Sequence, residues 1–346
     1  MAKPVVSYPG AKWRFYNHMV DYFPLDMHVF IEPFLGGGSI SLSVADDPRF
    51  TKLERMIGGD LYTEMWALWT GIKQDPAAVE ELAIKMFRER CPHQADIHNS
   101  GFVGGEARKY LKGGEFEKFL TSDVLTEADK KNIQDKIALY ELACKEGQDF
   151  WNWSQSVDTS QMSTVERAAR MLIVNKVSFS GMGDAGSLSK DQFCDFTDDK
   201  LKAVYDASRL LQRVELYNVS FEDTMKYANE DPENTFIFLD PPYAKQEDSG
   251  LYGKGGSTHK GFPHQHFAEY TMSMPCKWFI TYDDSVIVRK LFKGKAAYNN
   301  KKVKFVPFTI PGGYTMAGKT AEDALAGEEL FILNYEADCM KPAELM

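Results

Sequence analysis

The sequence predicts an α/β protein in which a mostly parallel β-sheet is interrupted by a mostly helical insertion. Strand-like and helix-like segments alternate over residues 1–75, which is typical of a parallel sheet. Residues 76–165 then show only helical patterns, and strand-like segments return afterwards. We therefore expect one domain formed by residues 1–75 and 166–346, with residues 76–165 inserted into it.

The first segments establish the alternation. VFIEPF is expected to form a strand, and the glycine run after it opens a helix over SISLSVADD. MIGGDLY predicts the second strand, and the apolar and aromatic residues of EMWALWTGIK predict the second helix. This β-α-β-α order favours a sheet with helical crossovers.

The remaining segments complete the fold. The insertion contains the helical patterns AAVEELAIKMFRER and LTEADKKNIQDKIALYELACKEG, and TVERAARMLIVNKVSF predicts a helix leading back to the sheet. Strands are expected at RVELYNVS, TFIFLD, CKWFITYDD, KVKFVPFTI and EELFILNYE. The last two are rich in strand-forming residues and are expected to be an antiparallel pair at the sheet edge.

Composition excludes several classes of protein. The chain has no run of the roughly 18 to 20 apolar residues that a membrane helix needs, and its N-terminus lacks the apolar core of a signal peptide. Its five cysteines are scattered without a Cys-x-x-Cys pair, which favours a reducing compartment. The sequence therefore predicts a cytoplasmic protein. No metal site is expected, since the spacing of Cys91, His93 and His98 matches no standard zinc pattern.

The charge pattern bears on nucleic-acid binding. A net charge of −10 argues against a protein that coats nucleic acid with its whole surface. Residues 289–304 nevertheless contain seven basic residues and no acidic residue. Lys293 and Lys301 of this segment, which we call the basic segment, are candidate phosphate contacts, and a solvated surface is the alternative.

A glycine turn follows the first strand. Gly36, Gly37 and Gly38 let the backbone approach a ligand closely, but they lack the Gly-x-Gly-x-x-Gly spacing of a dinucleotide site. Asp60 ends the second strand, where an acid can accept both hydroxyls of a ribose. The pattern suggests an adenosine-bearing ligand without a diphosphate, although Asp60 could also cap the helix that follows.

Two further motifs could act on such a ligand. Tyr8 and Lys12 flank a Pro-Gly turn and could close over a small molecule. The stretch FIFLDPPYAK runs from an apolar strand into Asp240, Pro241 and Tyr243. The Asp240 carboxylate and the Pro241 carbonyl could hold the hydrogens of an aromatic amine, while Tyr243 could stack on its ring.

The order of these motifs resembles the Dam-type, alpha-group DNA adenine-N6 methyltransferases. The resemblance covers residues 1–75 and about 165–335, and it includes the segments Asn175–Gly181 (NKVSFSG), CKWFITYDD and EELFILNY. It implies a Rossmann-like domain that transfers a methyl group from S-adenosylmethionine to adenine N6 of a base flipped out of double-stranded DNA.

The resemblance also assigns residues to roles. It implies that the acidic insertion contributes to target recognition. Asp240, Pro241 and Tyr243 would be catalytic, and the substrate would contact Asn175, Lys176 and Tyr243 together with Lys293 and Lys301 of the basic segment. The cofactor would contact Tyr8, Lys12, Glu32, Phe34, Gly36, Gly38, Asp60 and Asp240.

Other functions fit the same residues. Cytosine N4 presents a similar amine, although its usual corner begins with serine, and adenine in RNA would fit as well. A non-catalytic binding protein with the same fold is a further alternative, which the intact Asp240 corner and Asp60 argue against. The sequence does not indicate a recognition site, an oligomeric state or a partner restriction endonuclease.

Overall fold

A seven-stranded sheet forms the centre of the molecule. The computed structural model describes residues 4–8, 10, 12–103, 125–244, 261–309 and 328–340. The strand order is β3-β2-β1-β4-β5-β7-β6, and β7 is antiparallel to both of its neighbours while the first five strands are parallel. The strands are β1 Val29–Glu32, β2 Arg55–Gly59, β3 Val214–Tyr217, β4 Thr235–Leu239, β5 Lys277–Asp283, β6 Lys304–Thr309 and β7 Glu328–Leu333.

Helices connect these strands and form the insertion. In chain order the α-helices are α1 Tyr16–Met19, α2 Ser39–Asp46, α3 Thr63–Gln74, α4 Pro76–Arg90, α5 Gln94–Asn99, α6 Glu127–Ser156, α7 Thr164–Val177, α8 Lys190–Cys194, α9 Ala203–Leu211, α10 Phe221–Met225, α11 His264–Ser273 and α12 Val286–Leu291. Short 3₁₀ turns join them, among them Lys12–Phe15 before β1.

Local sequence determines where the long helices begin. The Asp75 carboxylate accepts a hydrogen bond from the Ala78 amide at 2.9 Å, and the proline that opens α4 lacks an amide hydrogen to satisfy. Thr126 with Asp129 forms a capping box at the start of α6, and Ser163 with Glu166 forms one at the start of α7. Each cap satisfies backbone amides that have no partner within the helix.

Alternate residues of the strands bury opposite faces of the sheet. Phe236 and Phe238 of β4 join one hydrophobic cluster, whereas Ile237 and Leu239 join another. Helices α2, α3, α4, α6, α7 and α9 contribute to the first cluster, and α10, α11 and α12 contribute to the second. A sheet covered on both faces explains why its central strands are apolar throughout.

Helices in the described part of residues 76–165 pack onto the sheet. Phe87 of α4 and Phe150 of α6 are buried in the same cluster as Phe30 and Phe236 of the sheet. Helix α7 packs against both α3 and α4. No helix in the described part of the chain is long and apolar enough to cross a membrane.

The structure confirms the predicted fold class. Each predicted strand is present, and the predicted edge pair β6 and β7 is antiparallel, with β6 at the edge and β7 next to β5. The first five strands are parallel, so their C-terminal ends lie along one edge of the sheet, and the loops after β1, β2 and β4 lie together there. The strand order reverses between β1 and β4, which are neighbours in the sheet but not in sequence, and such a switch point is where open α/β sheets bind ligands.

Candidate active site

The rings of Tyr8 and Trp69 pack against the glycine turn after β1. Gly36 and Gly38 have positive φ angles of 43° and 64°, so both favour glycine. A Cβ atom on Gly36 would lie 2.9 Å from the Tyr8 ring, and one on Gly38 would lie 2.9 Å from the Trp69 ring. The turn therefore has side chains packed directly against it, and the Trp69 indole donates to the Gly36 carbonyl at 2.8 Å.

Asp60 connects the ends of β1 and β2. Its Oδ2 accepts from the Gly36 amide at 2.7 Å, and its Oδ1 accepts from the Tyr62 amide at 2.8 Å. Burial raises the pKa of this carboxyl to about 6, against the lowering effect of the two amides. Asp60 thus fixes the glycine turn and holds the chain just before α3, whose N-cap is Tyr62, and its contact with a ribose stays a prediction.

Glu32 and Phe34 lie behind this turn. Glu32 Oε2 accepts from the Ser41 amide at 2.8 Å and from the Ser41 hydroxyl, at the N-terminus of α2. Burial raises the pKa of Glu32 to about 8. The Phe34 ring stacks on Phe221 at a centroid distance of 5.6 Å. Both residues support the turn from within, and a direct cofactor contact for either one stays a prediction.

Asp240 immediately follows β4 and is held by side chains. Lys12 Nζ lies 2.9 Å from its Oδ1 and 3.0 Å from its Oδ2, and the Thr281 hydroxyl donates to Oδ1 at 2.7 Å. The Lys12 ammonium is 3% exposed and also donates to the Gly10 carbonyl at 2.9 Å. The structure therefore brings the predicted Tyr8-to-Lys12 motif and the predicted catalytic acid into direct contact, although Pro9 and Ala11 lie outside the described residues.

Tyr243 completes the corner. Its hydroxyl donates to Glu329 Oε2 at 2.5 Å, its ring stacks on Tyr282 at 5.7 Å, and Lys12 Nζ lies 4.9 Å from its centroid. Burial, followed by the nearby Glu329 and Asp240 carboxylates, raises the pKa of the phenol well above its usual value. The hydroxyl therefore stays protonated, and the ring is held on one side by another aromatic ring.

The segment Asn175–Gly181 lies against the irregular N-terminal segment that contains Val5 and Ser7. The Asn175 amide nitrogen donates to the Ser7 and Gly181 carbonyls, both at 2.7 Å, and its oxygen accepts from the Ser7 amide. Lys176 Nζ donates to the Val5 carbonyl at 2.5 Å, and burial lowers its pKa to about 8. Both side chains position the chain before Tyr8, so their predicted contact with substrate would require a change of partners.

The part of the basic segment that contains Lys293 and Lys301 lies at the opposite edge of the sheet from Asp240, whereas Arg289 pairs with Asp284 just after β5. The Asn299 side chain donates to the Asn334 carbonyl at 2.7 Å, and the Asn334 side chain bonds to the backbone of Cys276 and Trp278 where β5 begins. Lys293 and Lys301 are exposed there. The structure thus does not bring them to the candidate active site, and a phosphate contact stays a prediction.

Two functional candidates escaped the sequence reasoning. Thr281 and Glu329 lie within segments that carried the family resemblance, but neither had been assigned a role. A pair of acids opening an apolar strand, as in EELFIL, is the signal that could have indicated Glu329. Among the described residues no group of three or more His, Cys, Asp or Glu could hold a metal ion, and His93 instead contacts Glu146 at 2.6 Å.

Comparison with known proteins agrees with this geometry. A family model described as D12 class N6 adenine-specific DNA methyltransferase matches residues 8–305. The chain is also 22% identical over 270 residues to the Type II methyltransferase M1.LlaDCHI of Lactococcus lactis subsp. cremoris, an alignment covering 76% of this chain and 72% of the relative. Since the family model spans most of the sequence, from Tyr8 past Asp240 to β6, the chain belongs to the D12 class of N6 adenine-specific DNA methyltransferases.

Proposed function

We propose that this adenine-N6 DNA methyltransferase uses S-adenosylmethionine, which it binds at the glycine turn, and methylates a flipped-out adenine at the Asp240 corner. The observation that carries the proposal is the contact between Lys12 and Asp240, which joins the two motifs at one edge of the sheet. Glu32, Asp60 and Asp240 follow three adjacent strands at that edge. A cofactor on the turn and a base at the corner would therefore be neighbours.

The turn fits the cofactor. The Cβ positions of Gly36 and Gly38 face the Tyr8 and Trp69 rings, so the turn packs tightly against both rings and a ligand stacked on Tyr8 would lie beside the backbone of the turn. The Asp60 carboxylate is fixed by two amides, yet each oxygen retains capacity to accept a hydroxyl hydrogen. Tyr8 is only partly buried, and the exposed part of its ring could stack on a ligand. Phe34 and Glu32 would act by supporting the turn.

The corner fits an aromatic amine. Bound S-adenosylmethionine would supply an electrophilic methyl group on a sulfonium. Asp240 and the Pro241 carbonyl would accept the two amine hydrogens and direct the nitrogen lone pair toward that methyl. Methyl transfer would break the bond from carbon to sulfur as the bond from carbon to N6 forms, and the proton lost from N6 would pass to a carboxylate or to water.

Tyr243 would hold the base. Unstacking a base from DNA costs a few kcal/mol, and stacking on an aromatic ring recovers about 1 to 3 kcal/mol. The Tyr243 ring is already oriented by Tyr282 and by the hydrogen bond to Glu329. The base therefore meets a surface that is ordered before binding.

The insertion and the biological setting complete the proposal. Residues 76–165, whose described helices pack onto the sheet, would contribute to recognition of the target sequence. The Type II label of the Lactococcus relative supports a place in a restriction-modification system in the cytoplasm, with a cognate endonuclease still to be identified.

Product analysis tests the proposal. The chain is expressed in a host whose DNA lacks N6-methyladenine, and the DNA is digested to nucleosides for mass spectrometry. We expect N6-methyladenine in the digest from the wild type and far less with a folded Asp240→Asn variant. Purified protein should bind S-adenosylmethionine but not NAD in calorimetry. N4-methylcytosine, methylated RNA or the absence of any product would contradict the proposal.

A further inference from the structure

Glu329 is a buried acid next to the catalytic corner. It is the second residue of β7 and is 1% exposed. Its cross-strand neighbours are Asp283 on β5 and Phe308 on β6. A carboxylate is rarely this buried without a specific partner, because removing a charge from water is costly. The partners of Glu329 therefore indicate what the residue is for.

Both oxygens of Glu329 face catalytic groups. Oε2 accepts the Tyr243 hydroxyl at 2.5 Å, and Oε1 lies 3.9 Å from Lys12 Nζ. That same ammonium contacts Asp240 at 2.9 Å. Glu329 therefore contacts the proposed base-stacking ring directly and is the second acid within reach of the lysine that pairs with the catalytic acid.

Lys12 connects the two acids. An amine that approaches Asp240 competes with Lys12 and Thr281 for the carboxylate oxygens. If Lys12 loosens its contact with Asp240, a buried ammonium needs another counter-charge close by. Glu329 stands 3.9 Å away, so a small movement of the flexible lysine side chain would exchange one partner for the other.

We infer that Glu329 is a positioning residue for methyl transfer. It fixes the Tyr243 ring through the phenol hydroxyl, and it provides the second counter-charge for Lys12 when the target amine engages Asp240. The inference rests on the proposed function of this corner. It adds to that function a residue that neither touches the reacting atoms nor belongs to the Asp-Pro-Pro-Tyr motif.

The ionisation of Glu329 gives the inference a measurable signature. Burial raises the pKa of Glu329 to about 7; Lys12 and the Tyr243 hydrogen bond lower it, whereas Asp240 and Asp283 raise it. The side chain is therefore charged only toward and above neutral pH. A counter-charge role should make methyl transfer rise with pH across this range.

The test uses a matched pair of variants. Glu329→Gln keeps the shape and one acceptor for the Tyr243 hydroxyl but cannot carry charge. Glu54→Gln is the control, since Glu54 is exposed and lies just before β2, at the opposite edge of the sheet. Single-turnover transfer of a tritiated methyl group is measured with saturating DNA and S-adenosylmethionine, and cofactor affinity is measured by calorimetry.

We expect Glu329→Gln to slow transfer about 10- to 100-fold at pH 8, with cofactor affinity changed less than about threefold, because the variant misplaces groups without removing the binding site. Its rate should also lose the rise near pH 7. Glu54→Gln should match the wild type in both respects. A folded Glu329→Gln protein with the wild-type rate and pH profile would overturn the inference.

A second measurement does not depend on activity. Melting temperatures of Tyr243→Phe, Glu329→Gln and the double variant form a thermodynamic cycle. We expect the double variant to lose less than the sum of the two single losses, because Glu329→Gln weakens the hydrogen bond that Tyr243→Phe removes. Additive losses of stability would contradict the inference, whether or not the wild type methylates DNA. A wild type that methylates no DNA would by itself refute only the proposed function.

Discussion

Asp60 and Asp240 are two acids at the same edge of one sheet, but they are held in different ways. Backbone amides of Gly36 and Tyr62 hold Asp60 at 2.7 and 2.8 Å. Side chains hold Asp240, whose own side chain is 24% exposed. Backbone donors cannot move without moving the fold, whereas the Lys12 side chain can exchange partners.

The difference matches the tasks proposed for the two acids. An acid that binds a cofactor needs a fixed geometry, and the amides that fix Asp60 also fix the glycine turn. An acid that engages a reacting amine must accept new hydrogen bonds during each turnover. Side-chain partners allow that exchange, and the Thr281 hydroxyl keeps the Asp240 carboxylate oriented meanwhile.

The largest effect is expected at Asp240. Asp240→Asn replaces one acceptor by a donor that faces the amine hydrogens and also removes the partner of Lys12. We expect methyl transfer to fall about 10²- to 10³-fold, the usual loss for a preorganised polar group at a reacting centre. Single-turnover assays with tritiated cofactor measure the rate, and circular dichroism checks the fold. A folded variant with the wild-type rate would remove Asp240 from the chemistry.

A smaller effect on a different quantity is expected at Asp60. Asp60→Ala should weaken binding of S-adenosylmethionine about tenfold or more, since a charge-assisted hydrogen bond contributes roughly 1.5 to 3 kcal/mol. It should also lower the melting temperature, because two amides lose their acceptor. Calorimetry and thermal unfolding measure the two quantities. Equal cofactor affinity in the variant would limit Asp60 to a structural role.

The pH dependence of stability gives a finer distinction. Burial raises the pKa of Asp60 from 3.8 to about 6. The folded protein then holds this proton more tightly than the unfolded chain, so the wild type loses stability as the pH rises from about 4 to about 6. Asparagine does not titrate, and the melting-temperature advantage of the wild type over Asp60→Asn should shrink across that interval. A melting-temperature advantage that grows with pH would show that the Gly36 and Tyr62 amides lower the pKa of Asp60 more than burial raises it.

The sequence predicted the fold and most of the corner because both depend on local signals. Alternating apolar segments indicated the sheet, and the prolines after Asp240 marked the end of β4. Glu329 was missed because its hydrogen-bond partner, Tyr243, is 86 residues away in the sequence, and no local pattern indicates such a contact. The double role of Asp60 likewise required the distances to Gly36 and Tyr62.

Asn175 shows a further limit of sequence reasoning. Its motif indicated a functional segment, but the structure shows its amide bonded to the backbone of Ser7 and Gly181. A polar residue in a motif can serve a site by holding the backbone beside it. Residue type and order indicate that a segment belongs to a functional site. Burial and hydrogen-bond partners are needed to tell a residue that contacts a ligand from one that supports the backbone.

The smallest effect is expected at the basic segment, where sequence and structure lead to different expectations. Its charge suggests phosphate contacts, yet the part of it that lies at the edge of the sheet opposite Asp240 contains its exposed lysines Lys293, Lys295, Lys301 and Lys302. Each phosphate contact changes the slope of log affinity against log salt by about 0.9. Converting all four lysines to glutamine should therefore leave that slope, and the rate of methyl transfer, nearly unchanged if DNA meets only the Asp240 edge. Fluorescence anisotropy with labelled duplex over a series of salt concentrations measures the slope. A slope whose magnitude falls by two or more would show that DNA contacts these lysines at the edge of the sheet opposite Asp240. That result would support the phosphate contacts that the charge of the segment predicts.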